Sequence, residues 1–187
     1  MRRKGILAAL LGAAILMALG ISAFAVAGGG KHHVKADELT GYQESAPAAV
    51  SSGGTGTFEA TIDDDAQMIT YELHYSGLGT AATQSHIHFG GRAQNGGISA
   101  FLCSNLGNGP AGTQPCPAGT GTTEAVVTGT ITPAQIIGPA SQGIAPGEFD
   151  ELVRALRAGS AYANVHTTQF GSGEIRGQIN DKDQKQP

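Results

Sequence analysis

Tryptophan is absent from the 187 residues, and only four tyrosines and six phenylalanines supply aromatic surface. Charge is scarce too: 14% of residues are Asp, Glu, Lys or Arg, against about 25% in an average soluble domain. That excludes a coiled coil, which needs Glu, Lys and Leu in quantity. A charge-rich disordered chain is excluded as well, because 40% of residues are hydrophobic and such a chain can bury a core. Glycine is in excess, at 29 residues, but with no three-residue period, which excludes a collagen-like helix. A small, turn-rich, all-β domain remains, and the length suits one domain.

The signatures of common catalytic sites are missing too. There is no Gly-x-Ser-x-Gly elbow, no phosphate loop and no His-Glu-x-x-His. Ser85 adjoins His86, but neighbouring strand residues face opposite ways. Close carboxylates occur only as Asp63-Asp64-Asp65 and Asp150-Glu151, which read as a hairpin turn and a helix start. The acidic turn lacks the Asp-x-Asp-x-Asp-Gly order of a calcium loop. No enzyme is read from these residues.

The first 27 residues form a separate object. Arg2, Arg3 and Lys4 precede a run from Gly5 to Ala27 with no charged residue. Two small-x-small sites, Ala23-Phe24-Ala25 and Ala25-Val26-Ala27, close it. This is the layout of a secretory signal peptide cut after Ala25 or Ala27. The rival is an uncleaved anchor, since about 20 apolar residues span a bilayer. Either way the remainder is expected to be secreted or extracytoplasmic, with a membrane contact only through an uncleaved segment. Cleavage after Ala25 removes three cationic residues and leaves eight against fifteen acidic ones, a net charge of −7. With no basic patch, a nucleic-acid partner is not expected.

Two cysteines, Cys103 and Cys116, flank a Gly/Pro-rich loop. An oxidising compartment permits a bridge between them, stabilising by about 3 kcal/mol on the chain-entropy argument. The rival is two free thiols. A redox or zinc-knuckle motif would need a Cys-x-x-Cys spacing, which is absent.

Residues 28–36 read as a linker carrying His32 and His33, residues 37–180 as the domain, and 181–187 as a polar tail. Hydrophobic alternation predicts strands over 55–62, with Phe58, Ala60 and Ile62 on one face, and over 68–75, with Ile69, Tyr71, Leu73 and Tyr75 on one face. In the second of these, Glu72 and His74 face outward. Further strands are expected at 38–44, 85–89, 98–103, 123–131, 161–167 and 174–180. Phe149, Leu152, Val153 and Leu156 fall at helical spacing, with acids before and Arg154, Arg157 and Gly159 after, so one short helix is expected at 148–157. Eight short strands and one late helix read as an antiparallel Greek-key β-sandwich.

The histidines carry the only chemistry. His86-Ile87-His88 lies on a strand, so both imidazoles share a face with Ile87 inward. His166 follows Val165 in the same way. All three imidazoles are expected to point outward. Two histidines at i, i+2 plus a third from a distant strand can assemble a copper or zinc site. The alternative is a structural hydrogen-bond cluster. Arg176 is read either as a second-layer group favouring an anion there or as the partner of Glu174 or Asp150.

Several of these segments together resemble the chordin-type (CHRD) domain. They are Leu39-Thr40-Gly41-Tyr42-Gln43-Glu44, Tyr71-Glu72-Leu73 through Ser76-Gly77-Leu78, Ser85-His86-Ile87-His88, Asn164-Val165-His166-Thr167 and Gly173-Glu174-Ile175-Arg176-Gly177-Gln178. The resemblance covers about residues 37–180. It implies an immunoglobulin-like sandwich in an exported protein, with an extracellular protein or surface as partner, as in chordin. The family in turn is similar to Cu/Zn superoxide dismutase. That similarity places His86, His88 and His166 at copper-ligand positions and Arg176 near an anion-steering arginine. Its bridging histidine has no counterpart, since no histidine lies between His88 and His166, so dismutase turnover is not expected. Two readings follow: a non-catalytic extracellular binding or structural module, and a copper- or zinc-binding protein using the three histidines.

Overall fold

The computed structural model describes residues 30–45 and 47–181. The expected signal segment, 1–27, and the tail from 182 lie outside the described residues. Eight strands form in chain order: β1 (Lys31–Thr40), β2 (Thr55–Asp63), β3 (Met68–Ser76), β4 (Ala82–Phe89), β5 (Gly97–Ser104), β6 (Ala125–Ile131), β7 (Ala161–Thr167) and β8 (Ile175–Asp181). Among the described residues one α-helix, α1 (Phe149–Arg157), precedes β7.

The strands pair antiparallel in the order β5-β4-β7-β8-β1-β2-β3-β6. The hairpin β7–β8 thus sits between β4 and β1, remote from its neighbours in sequence. The sheet curls until its two halves face each other. Tyr71 on β3 donates its hydroxyl to Leu102 O on β5 at 2.8 Å, though five strands separate the two in the sheet order. The core between the halves holds Phe58, Ile62, Ile69, Leu73, Ile87, Leu102, Ile131, Val165, Ile175 and Ile179. This is the all-β, sandwich-like architecture with one helix that the alternation predicts.

Strands β2 and β3 alternate as expected: Phe58, Ala60 and Ile62 are buried, as are Ile69, Tyr71, Leu73 and Tyr75. Their turn is a solvated hairpin rather than an ion site. Asp63 Oδ1 accepts from Ala66 N, and Asp64 accepts from Arg157 of α1 at 2.6 Å. In α1 the stripe of Phe149, Leu152, Val153 and Leu156 is buried. Gly159 adopts φ +64 and closes the helix: its N–H donates to Leu156 O, and Ser160 N–H to Ala155 O. That pair of bonds is the Schellman motif, and the left-handed residue is glycine because a Cβ is penalised there.

Asp181, expected in the tail, is the last residue of β8 and pairs with Val34, and two further boundaries differ from expectation. Residues 31–36 are not a linker but the first part of β1, paired from Lys31↔Asp63 to Ala36↔Phe58, with Val34 and Ala36 in the core. Only two of those six residues are apolar, which gave the segment no visible alternation. The strand expected at 38–44 ends at Thr40 and continues as a 3-10 turn, Gly41–Gln43. The cysteines are bridged, Cys103 to Cys116, with Cα atoms 5.0 Å apart. The bridge pins the 104–115 loop to β5, and Asn105 anchors it further by accepting from Cys116 N at 3.0 Å.

Candidate metal centre

Strand β7 is buried along its whole length, so it has two covered faces. Ala161, Ala163 and Val165 face the hydrophobic core. Tyr162, Asn164 and His166 alternate onto the other face. Register carries this polar face across three strands: His88 pairs with Tyr162 and His86 with Asn164 on β4, while Arg176 pairs with Asn164 and Gln178 with Tyr162 on β8.

The expectation that His86, His88 and His166 point outward is therefore corrected. Ile87 and Val165 do enter the core, and the imidazoles do take the opposite face. That face is not solvent-exposed: His86 is 0% exposed, His88 8% and His166 7%. The loop between β4 and β5 folds back over it, and the residues around the histidines hold that loop in place. Gln178 Nε2 donates to Gly90 O at 3.0 Å. Arg176 donates to Gly91 O at 2.8 Å and to Gln94 O at 2.9 Å. Gly96 N–H donates to the Tyr162 hydroxyl at 3.1 Å.

Arg176 accordingly pairs with neither Glu174 nor Asp150, the partners expected for it. A guanidinium carries five donors in a fixed fork, and here the fork meets two backbone carbonyls and the Ser45 hydroxyl, at 2.6 Å. Its carbon lies 3.4 Å from the Tyr162 ring centre. Tyr162 in turn stacks on His88, with ring centres 4.8 Å apart and planes 2° from parallel.

The three histidines meet. Each offers one nitrogen, and the three donors lie within 4.8 Å of one another. Two tautomers are fixed by backbone carbonyls, which only accept. His88 Nδ1 donates to Gly96 O at 2.9 Å, and His166 Nδ1 donates to Gly171 O at 3.0 Å. Each Nε2 then carries a bare lone pair, which is how second-layer bonds orient metal-binding histidines. His86 Nδ1 lies 3.1 Å from His166 Nε2, and the His86 and Phe101 rings meet edge to face with centres 4.4 Å apart.

The electrostatics keep all three rings neutral. Burial, reinforced by the neighbouring rings, pushes His86 down to about 2. Burial likewise takes His88 down to about 4 and lowers His166. Neutral imidazole is the form that binds metal. His86 Nε2 and His88 Nε2 are buried with no hydrogen-bond partner, and such groups ordinarily cost about 1–3 kcal/mol to leave unmade. A borderline-soft cation would satisfy them. Three nitrogens with no carboxylate or thiolate in the group, among the described residues, suit zinc or copper rather than calcium or magnesium. The residues fit the group.

The other expected histidines are elsewhere. His74 lies on the outer face of β3, bonded to Glu72 and 3.3 Å from Glu124. His32 and His33 lie on β1, His33 Nδ1 being 3.0 Å from Thr61 Oγ1. Residue-by-residue reading missed Tyr162, Asn164, Gln178, Phe101 and the Ser45 hydroxyl. Asn164 and Gln178 sit two residues from His166 and Arg176, and Tyr162 four from His166, so the same period of two, applied along all of β7 and β8, finds them.

The curled sheet and its buried imidazole cluster define an all-β domain with a histidine centre on the polar face of three strands. The chain belongs to the CHRD domain family, whose model matches residues 36–179. No curated protein matches the chain.

Proposed function

We propose that this CHRD-domain chain is an extracytoplasmic, non-catalytic binding module that holds one zinc or copper ion on His86, His88 and His166. The observation that carries the reading is the convergence of three neutral imidazoles, two of them with unpartnered buried Nε2 atoms. A bound ion would supply Lewis acidity and, if copper, one-electron redox capacity. The residues themselves orient the donors and exclude water. Non-catalysis is supported by the loop closed over the site and by the commitment of Arg176 to that loop rather than to an incoming anion. Export is supported by the N-terminal sequence pattern and by the Cys103–Cys116 bridge, which belongs to an oxidising compartment.

The test is metal content. The purified full chain, equilibrated with zinc or with copper and then freed of excess, should retain about one ion per chain by elemental analysis. Retention of none by the folded protein overturns the reading and leaves the histidines as a structural cluster.

A further inference from the structure

Resting on the three-histidine reading, we propose that Asn164 is the fourth donor, its side-chain oxygen closing the coordination shell. Asn164 is 3% exposed and sits on β7 between the histidines, opposite His86 across the strand pair and two residues before His166. Its Oδ1 lies 3.1 Å from His166 Nε2. His166 Nδ1–H donates to Gly171 O, so the one hydrogen of the neutral ring is on Nδ1 and Nε2 has a lone pair. An amide oxygen is also only an acceptor. Two acceptors set 3.1 Å apart repel unless a positive group lies against both; the His86 Nδ1 hydrogen reaches His166 Nε2 alone, whereas a cation would lie against both. The oxygen thus lies against one nitrogen of the three-histidine cluster.

Three imidazoles and one oxygen complete a tetrahedral shell, the closed arrangement of a structural or storage site rather than the open one of a catalyst. A hard oxygen in fourth place also favours a divalent ion over copper(I). The competing arrangement has the amide turned over, so that Nδ2–H donates to His166 Nε2 and no oxygen reaches the metal.

Cobalt(II) loaded into the full-length chain separates these by its visible spectrum, with azide as the probe for an open position. The wild-type spectrum should be four-coordinate and unchanged by azide. Asn164→Ala should shift on adding azide and weaken zinc binding about tenfold or more. Asn164→Asp, which keeps an oxygen there, should stay azide-inert and bind zinc at least as tightly as wild type. It therefore remains informative if the alanine variant fails to fold. An azide-sensitive wild type, an azide-inert Asn164→Ala with unchanged zinc affinity, or weakened zinc binding in Asn164→Asp overturns the assignment while leaving the histidines as ligands. Absence of any cobalt or zinc binding by the folded wild type overturns the three-histidine reading itself.

Discussion

His86 Nδ1 and His166 Nε2 stand 3.1 Å apart across strands 80 residues distant in sequence. With His166 Nδ1 committed to Gly171 O, the only proton available to that contact is the one on His86. In the metal-free chain the pair is a neutral donor–acceptor bond in a water-excluded site. Around a metal it has to open, because the single lone pair of His166 Nε2 cannot serve both the His86 hydrogen and the ion. His86→Ala or His166→Ala should each abolish stoichiometric zinc or copper retention, whereas His74→Ala should leave it intact. Retention by either single variant at wild-type affinity would falsify the three-histidine site.

The acid limb of stability should report the same cluster. Once unfolded, His86, His88 and His166 titrate near 6.5. Folded, His86 and His88 are held at about 2 and about 4, and His166 is lowered, in each case chiefly by burial. Below pH 6.5 the unfolded chain binds more protons, so stability falls as pH falls. The loss begins near 6.5 and continues through 4 for His88 and toward 2 for His86. Urea midpoints of metal-free protein between pH 7.5 and 4 measure it. Midpoints that do not move over that range speak against neutral buried rings.

Much of this was legible in the sequence, and what was not has a physical reason. The alternation of β2 and β3, the helical stripe of α1 and the bridging of Cys103 to Cys116 follow from period, caps and the expectation of an oxidising compartment. The His-x-His pair and His166 were visible as a set because a strand puts alternate residues on one face. Their burial was not visible. Period two separates the faces of a strand but cannot say whether the polar face meets water or a folded-back loop. The Gly90–Gly97 segment reads only as a glycine-rich turn, and its role as a cover depends on Arg176 and Gln178, more than 80 residues away. Strand β1 was missed because its pairing with β2 outweighs its polar local sequence.

Glu44 should act in the opposite direction to the histidines. It is buried, with Oε1 unpartnered, and burial pushes its carboxyl up from 4.5 to about 7 while Arg176 pulls it partly back. The folded state thus binds the extra proton between pH 4.5 and 7. The stability this contributes is full below 4.5 and is lost as pH rises through 7. Glu44→Gln keeps the shape and removes the charge. Its stability relative to wild type should grow as pH is raised from 4.5 to 8, by about 1–3 kcal/mol in all. The variant-minus-wild-type difference across that range is the measurement, and a constant difference rules the buried carboxyl out as the cause.

Reduction of the Cys103–Cys116 bridge should cost about 3 kcal/mol, because it frees a short loop in the unfolded chain. The paired Cys103→Ser, Cys116→Ser chain tests this without reductant. It should lower the urea midpoint while retaining zinc, since the bridge lies on the core side of β5, away from the histidine face. Loss of metal retention in a folded double variant would show that the bridge orders the centre as well.

Arg176 is the residue whose two readings diverge most sharply. An anion-steering arginine keeps donors free for its ligand. The guanidinium here is 2% exposed, stacked on Tyr162 and bonded to Gly91 O, Gln94 O and Ser45 Oγ. Ser45 Oγ in turn donates to Asn95 Oδ1 at 2.8 Å, so one side chain ties the 44–45 segment and the cover over the histidines together. Arg176→Lys keeps the charge, but a single ammonium cannot span three acceptors or stack flat on a ring. The substitution should destabilise the fold by about 2–4 kcal/mol. It should also loosen Gly96, whose carbonyl fixes the His88 tautomer, and so weaken zinc binding about 10–100-fold, the usual effect of losing an outer support. Amide exchange distinguishes this from plain destabilisation. Protection should drop selectively over residues 91–97, with β2 and β3 changed only by the global amount. A uniform loss across the sheet with zinc affinity unaltered would return Arg176 to a purely structural role, remote from the centre.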